Sequence, residues 1–366
     1  MGAGDRDAAL RFGISIVPAT ERLDRIRELV RTADGAALDL VGIQDHPYQR
    51  RFLDTWSLIP MLLAETKRIG FFTAVANLPL RPPAVMAKAA ASLDVLSGGR
   101  FELGLGAGGF PDVVAGFGGP RRTPGESVEA LEEAIDVIRL LWSDERSVSF
   151  DGKHYRLDGA RPGPRPAHPI GIWVGAFKPR MLRLTGRKAD GWLPSLGVLT
   201  RDELRAGNER IDAAAEKAGR EPRSIRRILN LQGVIGEGPA PARSELPVGY
   251  LAGEPLAGPP DWWVDTLGGV RRRWLRHARV LARRHHARSS RAPGQRSRTP
   301  PPRLRLIARC TPGLTPSLVL RLGVGLAAVA GGVDARQPIE KGDELRELVV
   351  VIRTAQELAD LPGMRL

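Results

Sequence analysis

The stretch "IGFFTAVANLPLRPPAVMAKAAASLDVLSGGRFELGLGAGG" at residues 69–109 contains a complete strand–helix–strand pattern. It reads as a strand over 69–79, a helix over 82–99 that begins with proline and stops at glycine, and a strand over 100–109 that opens into a glycine-rich turn. Both strands are apolar on consecutive residues, which is typical of a parallel sheet that is buried on both faces. The unit therefore predicts two parallel strands joined by a helical crossover.

The same alternation of strand and helix extends along the chain on both sides of this unit. Apolar runs at 12–18 and 39–46 precede it, each followed by a helical pattern. A long helix is predicted at 124–144 and a hairpin around Asp151–Gly152. The later strands are predicted at 169–177, 190–195 and 226–236, and the later helices at 178–189, 201–220 and 261–269. Seven strand–helix units over about 260 residues predict an α/β protein with a (β/α)8 TIM barrel, whose eighth strand should follow the last helix.

Composition limits the class of protein. A chain of 366 residues, 42% of them hydrophobic, is long enough for one large domain or two smaller ones with a sizeable core. Cys310 is the sole cysteine, which excludes an internal disulfide and suits a reducing compartment. The N-terminal residues lack the apolar core of a signal peptide, and the apolar run at 318–333 is short for a membrane span and contains Arg321. We expect a soluble, cytoplasmic protein with no membrane partner.

The positive charge of the chain is concentrated in one segment. The formal net charge is +14, and residues 271–309 contain 14 arginines but no lysine and no acidic residue. The rest of the chain is therefore neutral overall. No carboxylate occurs between Asp265 and Asp334. The segment has three interpretations: a basic tail that binds nucleic-acid phosphates, a linker without a function, or the product of out-of-frame DNA.

Three longer motifs fit one known family. They are "GIQDHPYQRRFLDTW" at 42–56, "LPLRPPAVMAKAAASLDVLSGGRFELGLGAGG" at 78–109 and "IWVGAFKPRMLRLTGRKADGW" at 172–192. Together they resemble the luciferase-like flavin-dependent oxidoreductases, which include enzymes that use the deazaflavin coenzyme F-420 instead of FMN. The resemblance covers roughly residues 11–269 in order. It implies a TIM barrel with FMN or coenzyme F-420 at the C-terminal face of the strands and a small organic molecule as substrate.

The resemblance implies that Asp45 and His46 are catalytic. In this family the strand after the first helix ends in a motif such as Asp-His or Glu-His, and the resemblance places His46 near the reactive edge of the ring. An imidazole there can take or give a proton near neutral pH. The alternative is a histidine that only hydrogen-bonds the following loop.

Two further stretches are implied to contact the cofactor. The third strand in this family often carries a non-proline cis peptide that supports the ring, and alignment places this peptide at Thr73–Ala74. "GLGAGG" at 104–109 fits G-x-G-x-x-G, but it follows the fourth strand and no helix follows it at once, so it is a weak dinucleotide fingerprint. In the barrel, Gly106, Ala107 and Gly108 are predicted to let the backbone approach the cofactor. The alternative is a tight turn without a ligand.

The fifth strand leads into "VGAFKPR" at 174–180. Backbone N–H groups at the start of a helix can bind a phosphate. For the cofactor phosphate, the predicted residues are Gly175, Ala176, Phe177 and Lys178. The charges of Lys178 and Arg180 would add to this binding, and the alternative is that both are solvated residues of an ordinary helix.

Residues after the fourth strand bear on the substrate. Gly109 stands where some F-420-dependent sugar-phosphate dehydrogenases of the superfamily have a glutamate that donates a proton, which argues against that activity. Asp112, Arg121 and Arg122 in the following loop are candidates for contact with the substrate. His285–His286 lack partner ligands at metal spacing, so no metal site is predicted.

The eighth strand raises a separate question. Family members have a strand resembling Gly-Phe-Asp-Thr-Phe-Val-Phe-Trp-Pro where the arginine run begins. Read one nucleotide out of step, the codons of Trp274–Ala287 can encode Gly-Phe-Asp-Thr-Leu-Val-Phe-Trp-Pro-Ala-Asp-Thr-Thr-Pro. The genetic code requires only the glycine of this peptide and permits the other residues. The favoured hypothesis is therefore a frameshift near residue 270, either real or a sequencing error.

This hypothesis divides the chain into three parts. Residues 1–269 form barrel strands one to seven, 270–333 is an out-of-frame or disordered segment, and 334–366 is a helical tail with its helix at 339–361. Loss of the eighth strand would leave open edges on strands one and seven, which a substitute strand such as 317–326 would fill.

The predicted function is a luciferase-like oxidoreductase or monooxygenase, impaired if the eighth strand is lost. Two alternatives are a degenerate, inactive barrel and a basic protein that binds nucleic acid through 271–309. A homodimer is expected because members of the family often dimerise.

Overall fold

Strands and helices alternate through the part of the chain that the structure describes. This computed structural model covers residues 11–36, 38–194, 199–235, 256–258 and 348–353. The strands are β1 (Arg11–Ile16), β2 (Leu40–Ile43), β3 (Gly70–Thr73), β4 (Ala76–Asn77), β5 (Phe101–Gly106), β6 (Val148–Asp151), β7 (Arg156–Ala160), β8 (Ile172–Val174), β9 (Gly191–Trp192), β10 (Arg226–Ile235), β11 (Leu256–Gly258) and β12 (Leu348–Arg353). The helices are α1 (Leu23–Gly35), α2 (Thr55–Glu65), α3 (Pro83–Ser97), α4 (Pro111–Gly116), α5 (Pro124–Leu141), α6 (Pro179–Lys188) and α7 (Arg201–Lys217). The helix predicted at 261–269 and the segment 270–333 lie outside the described residues.

A ring of parallel strands forms the centre of the fold. β1, β2, β3, β5, β8 and β9 pair with one another in chain order. β9 pairs with the first residues of β10, and β12 pairs with both β10 and β1. Helices separate the first seven of these strands along the chain. The prediction of a TIM barrel is confirmed, with β12 in the eighth position of the ring, whereas the loss or replacement of an original eighth strand stays a prediction.

The position between β10 and β1 is filled by β12. Val349 lies opposite Ile228 of β10 and opposite Arg11 of β1. The helix predicted over 339–361 is wrong for the residues of β12, where three valines and an isoleucine in succession favour extended backbone. The substitute strand suggested at 317–326 lies outside the described residues.

Apolar side chains fill the ring. The buried residues at its centre are Leu40, Phe72, Trp173, Leu193 and Ile228. The rings of Phe72 and Trp173 meet edge to face, with centroids 5.2 Å apart. Ala74 and Val75, which follow β3, are half-buried and pack against this core. We call these two residues the floor pair, because they cover the core at the end of the barrel where the strands finish.

The hairpin predicted around Asp151–Gly152 is present and is attached to α5. Its strands β6 and β7 pair antiparallel. The carboxylate of Glu133 in α5 accepts the backbone N–H groups of Lys153, His154 and Tyr155 at 2.9, 2.8 and 3.0 Å. These bonds fix the position of Tyr155, which matters for the cavity described below.

A group of charged side chains joins α3 to the N-terminal ends of the strands. The buried carboxylate of Asp94 lies 2.7 Å from Nδ1 of His168, whose Nε2 is 3.6 Å from Oε1 of Glu102. Glu102, in β5, also accepts from Arg226 at 3.0 Å. Hydrogen bonds to Asp94 and Glu102 raise the pKa of His168 to about 9. We call these four residues the His168 cluster.

Capping boxes stabilise the N-termini of two helices. α5 begins with a capping box formed by Thr123 and Glu126, and α7 begins with one formed by Thr200 and Glu203.

Among the described helices, none is both long enough and apolar enough to cross a membrane.

Candidate active site

A cavity of about 640 Å³ lies where β2 and β4 end. Prolines and leucines that follow β4, together with Phe117 after α4, supply its apolar lining. Its polar lining consists of Asp45, Asp54, Asn77, Arg81, Arg122 and Tyr155. Active sites of TIM barrels lie at the C-terminal face of the strands, which makes this cavity the candidate active site.

Asp45 is the buried acid of the cavity, with 2% of the residue exposed. Its Oδ2 accepts the backbone N–H of Asn77 at 2.9 Å and the indole N–H of Trp56 at 3.3 Å. Among the described residues, the buried Oδ1 atoms of Asp45 and Asn77 have no hydrogen-bond partner. Burial raises the pKa of Asp45 above the ordinary carboxyl value, although the Asn77 N–H opposes this rise. A carboxyl group of this kind is a candidate for proton exchange with a ligand.

His46 has different surroundings from its neighbour. It is half-buried, and its Nδ1 lies 2.8 Å from the hydroxyl of Tyr48. Its ring centroid is 6.5 Å from that of Phe52. The cavity is lined by Asp45 but not by His46. The contact with Tyr48 fits the alternative of a histidine that hydrogen-bonds the following loop, and the catalytic role of His46 stays a prediction.

The floor pair carries the non-proline cis peptide, at Ala74–Val75. The predicted position, Thr73–Ala74, is wrong by one residue. Thr73 still belongs to the parallel ladder, opposite Ile43, so the chain departs from strand geometry only after it. The hydroxyl of Thr73 is fully buried and donates to the carbonyl of Gly104 at 2.6 Å. Its side chain therefore joins β3 to β5, and the accessible residues of this segment are the floor pair.

Glycines surround Val75 because a side chain would not fit there. A Cβ on Gly106 would lie 2.6 Å from Cγ2 of Val75, and one on Gly175 would lie 3.3 Å from the same atom. A Cβ on Gly104 would lie 1.8 Å from the carbonyl oxygen of Thr73. These glycines allow neighbouring segments of the chain to pack closely against Val75 and the carbonyl of Thr73. Contact of the same turn with a cofactor stays a prediction.

The remainder of the turn after β5 is less crowded. Gly108 has φ +87°, and a Cβ there would lie 2.3 Å from Cγ of Pro79. Ala107 is half-buried. Gly109 is exposed, and no atom lies within 4 Å of the position that its Cβ would take. The structure therefore has room for a side chain at Gly109, although the sequence provides none.

The segment predicted to bind a phosphate leads into α6, which begins at Pro179. The N–H of Gly175 donates to the carbonyl of Leu105 at 3.1 Å, so this donor is already used and its predicted role is corrected. The N–H groups of Ala176, Phe177 and Lys178 are the remaining donors of the segment. The carbonyl of Ala176 accepts the indole N–H of Trp192 at 2.9 Å, which orients the peptide at the start of this group.

The structure separates the three candidates for substrate contact. Arg121 and Asp112 form an ion pair on the surface, where both side chains are exposed. Arg122 is half-buried and lines the cavity. Tyr155 and Arg81 line it too, and sequence reasoning missed both. Only the tertiary structure brings the hairpin and the segment after β4 to the same cavity, and no spacing in the sequence indicates that contact.

No group of histidine, cysteine and carboxylate side chains in the described residues is arranged to hold a metal ion.

Comparison with known proteins agrees with this architecture. The sequence profile of the luciferase-like monooxygenases matches residues 9–314. The F420-dependent hydroxymycolic acid dehydrogenase of Mycobacterium tuberculosis (strain ATCC 25618 / H37Rv) is 34% identical over 269 residues, which are 70% of this chain and 68% of that enzyme. The chain spans 60% to 68% of the length of this and two further curated relatives.

Solved structures show the same fold. An F420-dependent secondary alcohol dehydrogenase, in complex with an F420–acetone adduct, superposes with a TM-score of 0.57 at 21% identity over 62% of this chain and 70% of that one. The oxygenating constituent of 3,6-diketocamphane monooxygenase from Pseudomonas putida, in complex with FMN, gives 0.52 at 21% identity over 62% and 68%. The fold agrees with the profile match over residues 9–314, and the chain belongs to the luciferase-like monooxygenase family.

Proposed function

We propose that this chain is an oxidoreductase that uses reduced FMN or coenzyme F-420 to transform a small organic molecule in the cavity. The observation that carries the proposal is Asp45, a buried carboxyl at the C-terminal face of the barrel whose Oδ1 has no partner among the described residues. The mycobacterial relative is named as F420-dependent, and the two structural neighbours hold an F420 adduct and FMN. These relatives support both coenzyme F-420 and FMN as candidate cofactors.

The residues at the mouth of the barrel fit a flat ring system. The floor pair offers accessible apolar surface, and the glycines beside Val75 keep side chains away from it. A flavin or deazaflavin ring needs such a support, with polar groups at its edge. The N–H groups of Ala176, Phe177 and Lys178 would hold the phosphate. When bound, the cofactor would carry the two electrons that pass to or from the substrate.

The protons of the reaction are assigned to the protein. Asp45 would exchange a proton with the substrate, because its raised pKa brings the protonated and ionised forms closer in energy at neutral pH. His46 would exchange a second proton through the hydrogen bond with Tyr48. Gly109 offers no side chain for this purpose, so the assignment differs from that of relatives with a glutamate there.

The proposal is tested by cofactor binding followed by turnover. We expect the purified protein to quench the fluorescence of either F-420 or FMN on titration. Ala74→Trp would fill the mouth above the core and weaken binding at least about tenfold, since the ring and the indole compete for one space. Gly109→Ala is the control, because its Cβ meets open space.

Turnover distinguishes the two chemistries. Oxidation of reduced F-420 by a panel of aldehydes and ketones would identify a reductase, whereas oxygen consumption with reduced FMN would identify a monooxygenase. If neither cofactor binds, or if Ala74→Trp binds as tightly as Gly109→Ala, the proposal is wrong.

A further inference from the structure

Arg122 stands out among the charged groups of the cavity. It is half-buried, its Nη1 donates to the Tyr155 hydroxyl at 3.4 Å, and its guanidinium carbon lies 5.5 Å from the centroid of the Tyr155 ring. No carboxylate pairs with Arg122 among the residues that the structure describes. Most of its five N–H donors are therefore available to a ligand.

The other arginine of the cavity is already occupied. Arg81 donates to the carboxylate of Asp54 at 2.8 Å and lies 5.2 Å above the ring of Trp56. The remaining carboxylate of the lining is Asp45, which accepts from Trp56 and Asn77. The positive charge of Arg122 is thus the one in this lining that protein carboxylates do not balance.

Tyr155 adds a second donor at the same place. Its hydroxyl oxygen accepts from Arg122, which leaves the hydroxyl proton for a ligand. Burial raises the pKa of Tyr155, although Arg122 opposes the rise, so the hydroxyl stays protonated throughout the neutral range. The same lining also contains apolar residues, among them Leu78, Pro79 and Phe117.

We propose that Arg122 and Tyr155 form an anion-binding subsite, which takes the carboxylate or phosphate of a mainly apolar small molecule held in the cavity. The planar guanidinium fits both kinds of oxyanion through two parallel hydrogen bonds. The anion has two possible sources, the substrate or the phosphate-bearing side chain of the cofactor. The inference deepens the proposed function because it assigns a substrate class to the same cavity, but anion binding itself requires neither turnover nor cofactor.

Calorimetric titration with phenyl phosphate tests the subsite directly, with benzyl alcohol as a neutral probe of similar size. We expect wild-type protein to bind phenyl phosphate at least about tenfold more tightly than benzyl alcohol. Arg122→Gln should reduce affinity for phenyl phosphate about tenfold and leave benzyl alcohol unaffected. Arg121→Gln is the matched control, because the neighbouring Arg121 is exposed and paired with Asp112.

Two more conservative variants distinguish a loss of anion binding from a folding defect. Arg122→Lys keeps the charge but loses the planar fork, and Tyr155→Phe keeps the ring but loses the hydroxyl. Both should weaken phenyl phosphate binding by a smaller factor than Arg122→Gln, with melting temperatures close to wild type. Equal affinities for phenyl phosphate in Arg122→Gln and Arg121→Gln, or no preference over benzyl alcohol in wild type, would overturn the proposal.

A comparison of FMN with riboflavin identifies the source of the anion. If Arg122→Gln weakens FMN but not riboflavin, the subsite takes the cofactor phosphate. If it weakens phenyl phosphate but neither flavin, the subsite takes an anionic substrate. Binding of phenyl phosphate without binding of any cofactor would support the subsite and refute the proposed function.

Discussion

Two adjacent side chains at the end of β2, Asp45 and His46, have different surroundings and different contacts. Asp45 is buried, lines the cavity and has one oxygen without a partner among the described residues. His46 contacts Tyr48 and Phe52 instead. A buried carboxyl is costly unless a ligand uses it, so under the proposed function the role of Asp45 in turnover conflicts with the stability of the fold.

Asp45→Asn tests this conflict. The amide keeps an oxygen for the N–H groups of Asn77 and Trp56 but cannot exchange a proton, so we expect turnover to fall about 10²-fold. Stability should change in the opposite direction. Because the folded-state pKa of Asp45 lies above its unfolded value, its ionisation destabilises the fold as pH rises through this range. Asp45→Asn should therefore melt above wild type at about pH 8, with the difference vanishing towards about pH 4. Thermal melts across this range, beside turnover at neutral pH, measure both effects.

The opposite pattern would contradict this assignment. If Asp45→Asn retained turnover, or if it lowered the melting temperature equally at every pH, Asp45 would serve only as a hydrogen-bond acceptor for Asn77 and Trp56.

The residues of the cavity differ in how far the sequence predicts them. Asp45 follows an apolar strand within a motif that resembles a known family, and local sequence is enough to indicate it. Tyr155 and Arg122 are 33 residues apart and meet because Glu133 of α5 fixes the hairpin. Contacts of this kind depend on the tertiary structure, and no periodic pattern in the chain encodes them.

At the scale of elements, β3 and β5 approach too closely for a side chain at Gly104. Gly104→Ala would place its Cβ 1.8 Å from the carbonyl oxygen of Thr73, which is backbone and cannot move aside. We expect a loss of about 3 kcal/mol in the free energy of unfolding, at the upper end for overpacking. Denaturant unfolding measures this, with Gly109→Ala as the matched control. Similar stabilities for the two variants would show that the strands can separate to admit a methyl group.

The His168 cluster predicts a pH-dependent attachment of α3 to the strands. His168 has a folded-state pKa of about 9 against an ordinary value near 6.5, so its stabilisation is complete below the ordinary value and is lost as pH rises through 9. The charged groups around it are Asp94, Glu102 and Arg226. His168→Gln should be less stable than wild type at about pH 6, and the two should converge towards about pH 10. Melting curves at several pH values measure this difference, and a constant gap between the two proteins would contradict the prediction.

Most element types could be predicted from the sequence, but the short helix α4, which contains Asp112 and was predicted as a loop, and the strand β12 were missed. The alternation of strands and helices between residues 11 and 235 has clear boundaries, because prolines and glycines mark the turns. The run at β12 fits both a helical and an extended pattern within a charged neighbourhood. Its place between β10 and β1 decides in favour of a strand, and that pairing spans more than a hundred residues of chain.

At the scale of the whole molecule, β12 completes the ring, so its backbone should decide whether the barrel unfolds cooperatively. Val351 lies opposite Gly13 of β1 and Asn230 of β10. Val351→Pro removes an N–H donor from a strand with neighbours on both sides, and we expect it to cost about 3 kcal/mol or more. Val351→Thr keeps the N–H and the β-branched shape and should have a smaller effect. Denaturant unfolding of both variants measures the contribution of this strand, and equal stabilities would show that the ring does not depend on it.

The frameshift hypothesis makes a related prediction about the same position in the ring. If out-of-frame DNA replaced the original eighth strand, then exchanging Trp274–Ala287 for Gly-Phe-Asp-Thr-Leu-Val-Phe-Trp-Pro-Ala-Asp-Thr-Thr-Pro should restore a strand that pairs with β10 and β1 in place of β12. In this exchanged chain Val351→Pro should no longer destabilise the barrel, because β12 would no longer be needed to cover the edges of β1 and β10. A double-mutant cycle of unfolding free energies tests the interaction between the two changes. Full loss of stability from Val351→Pro in both backgrounds would show that the exchanged segment does not enter the ring, and the frameshift hypothesis would lose its structural support.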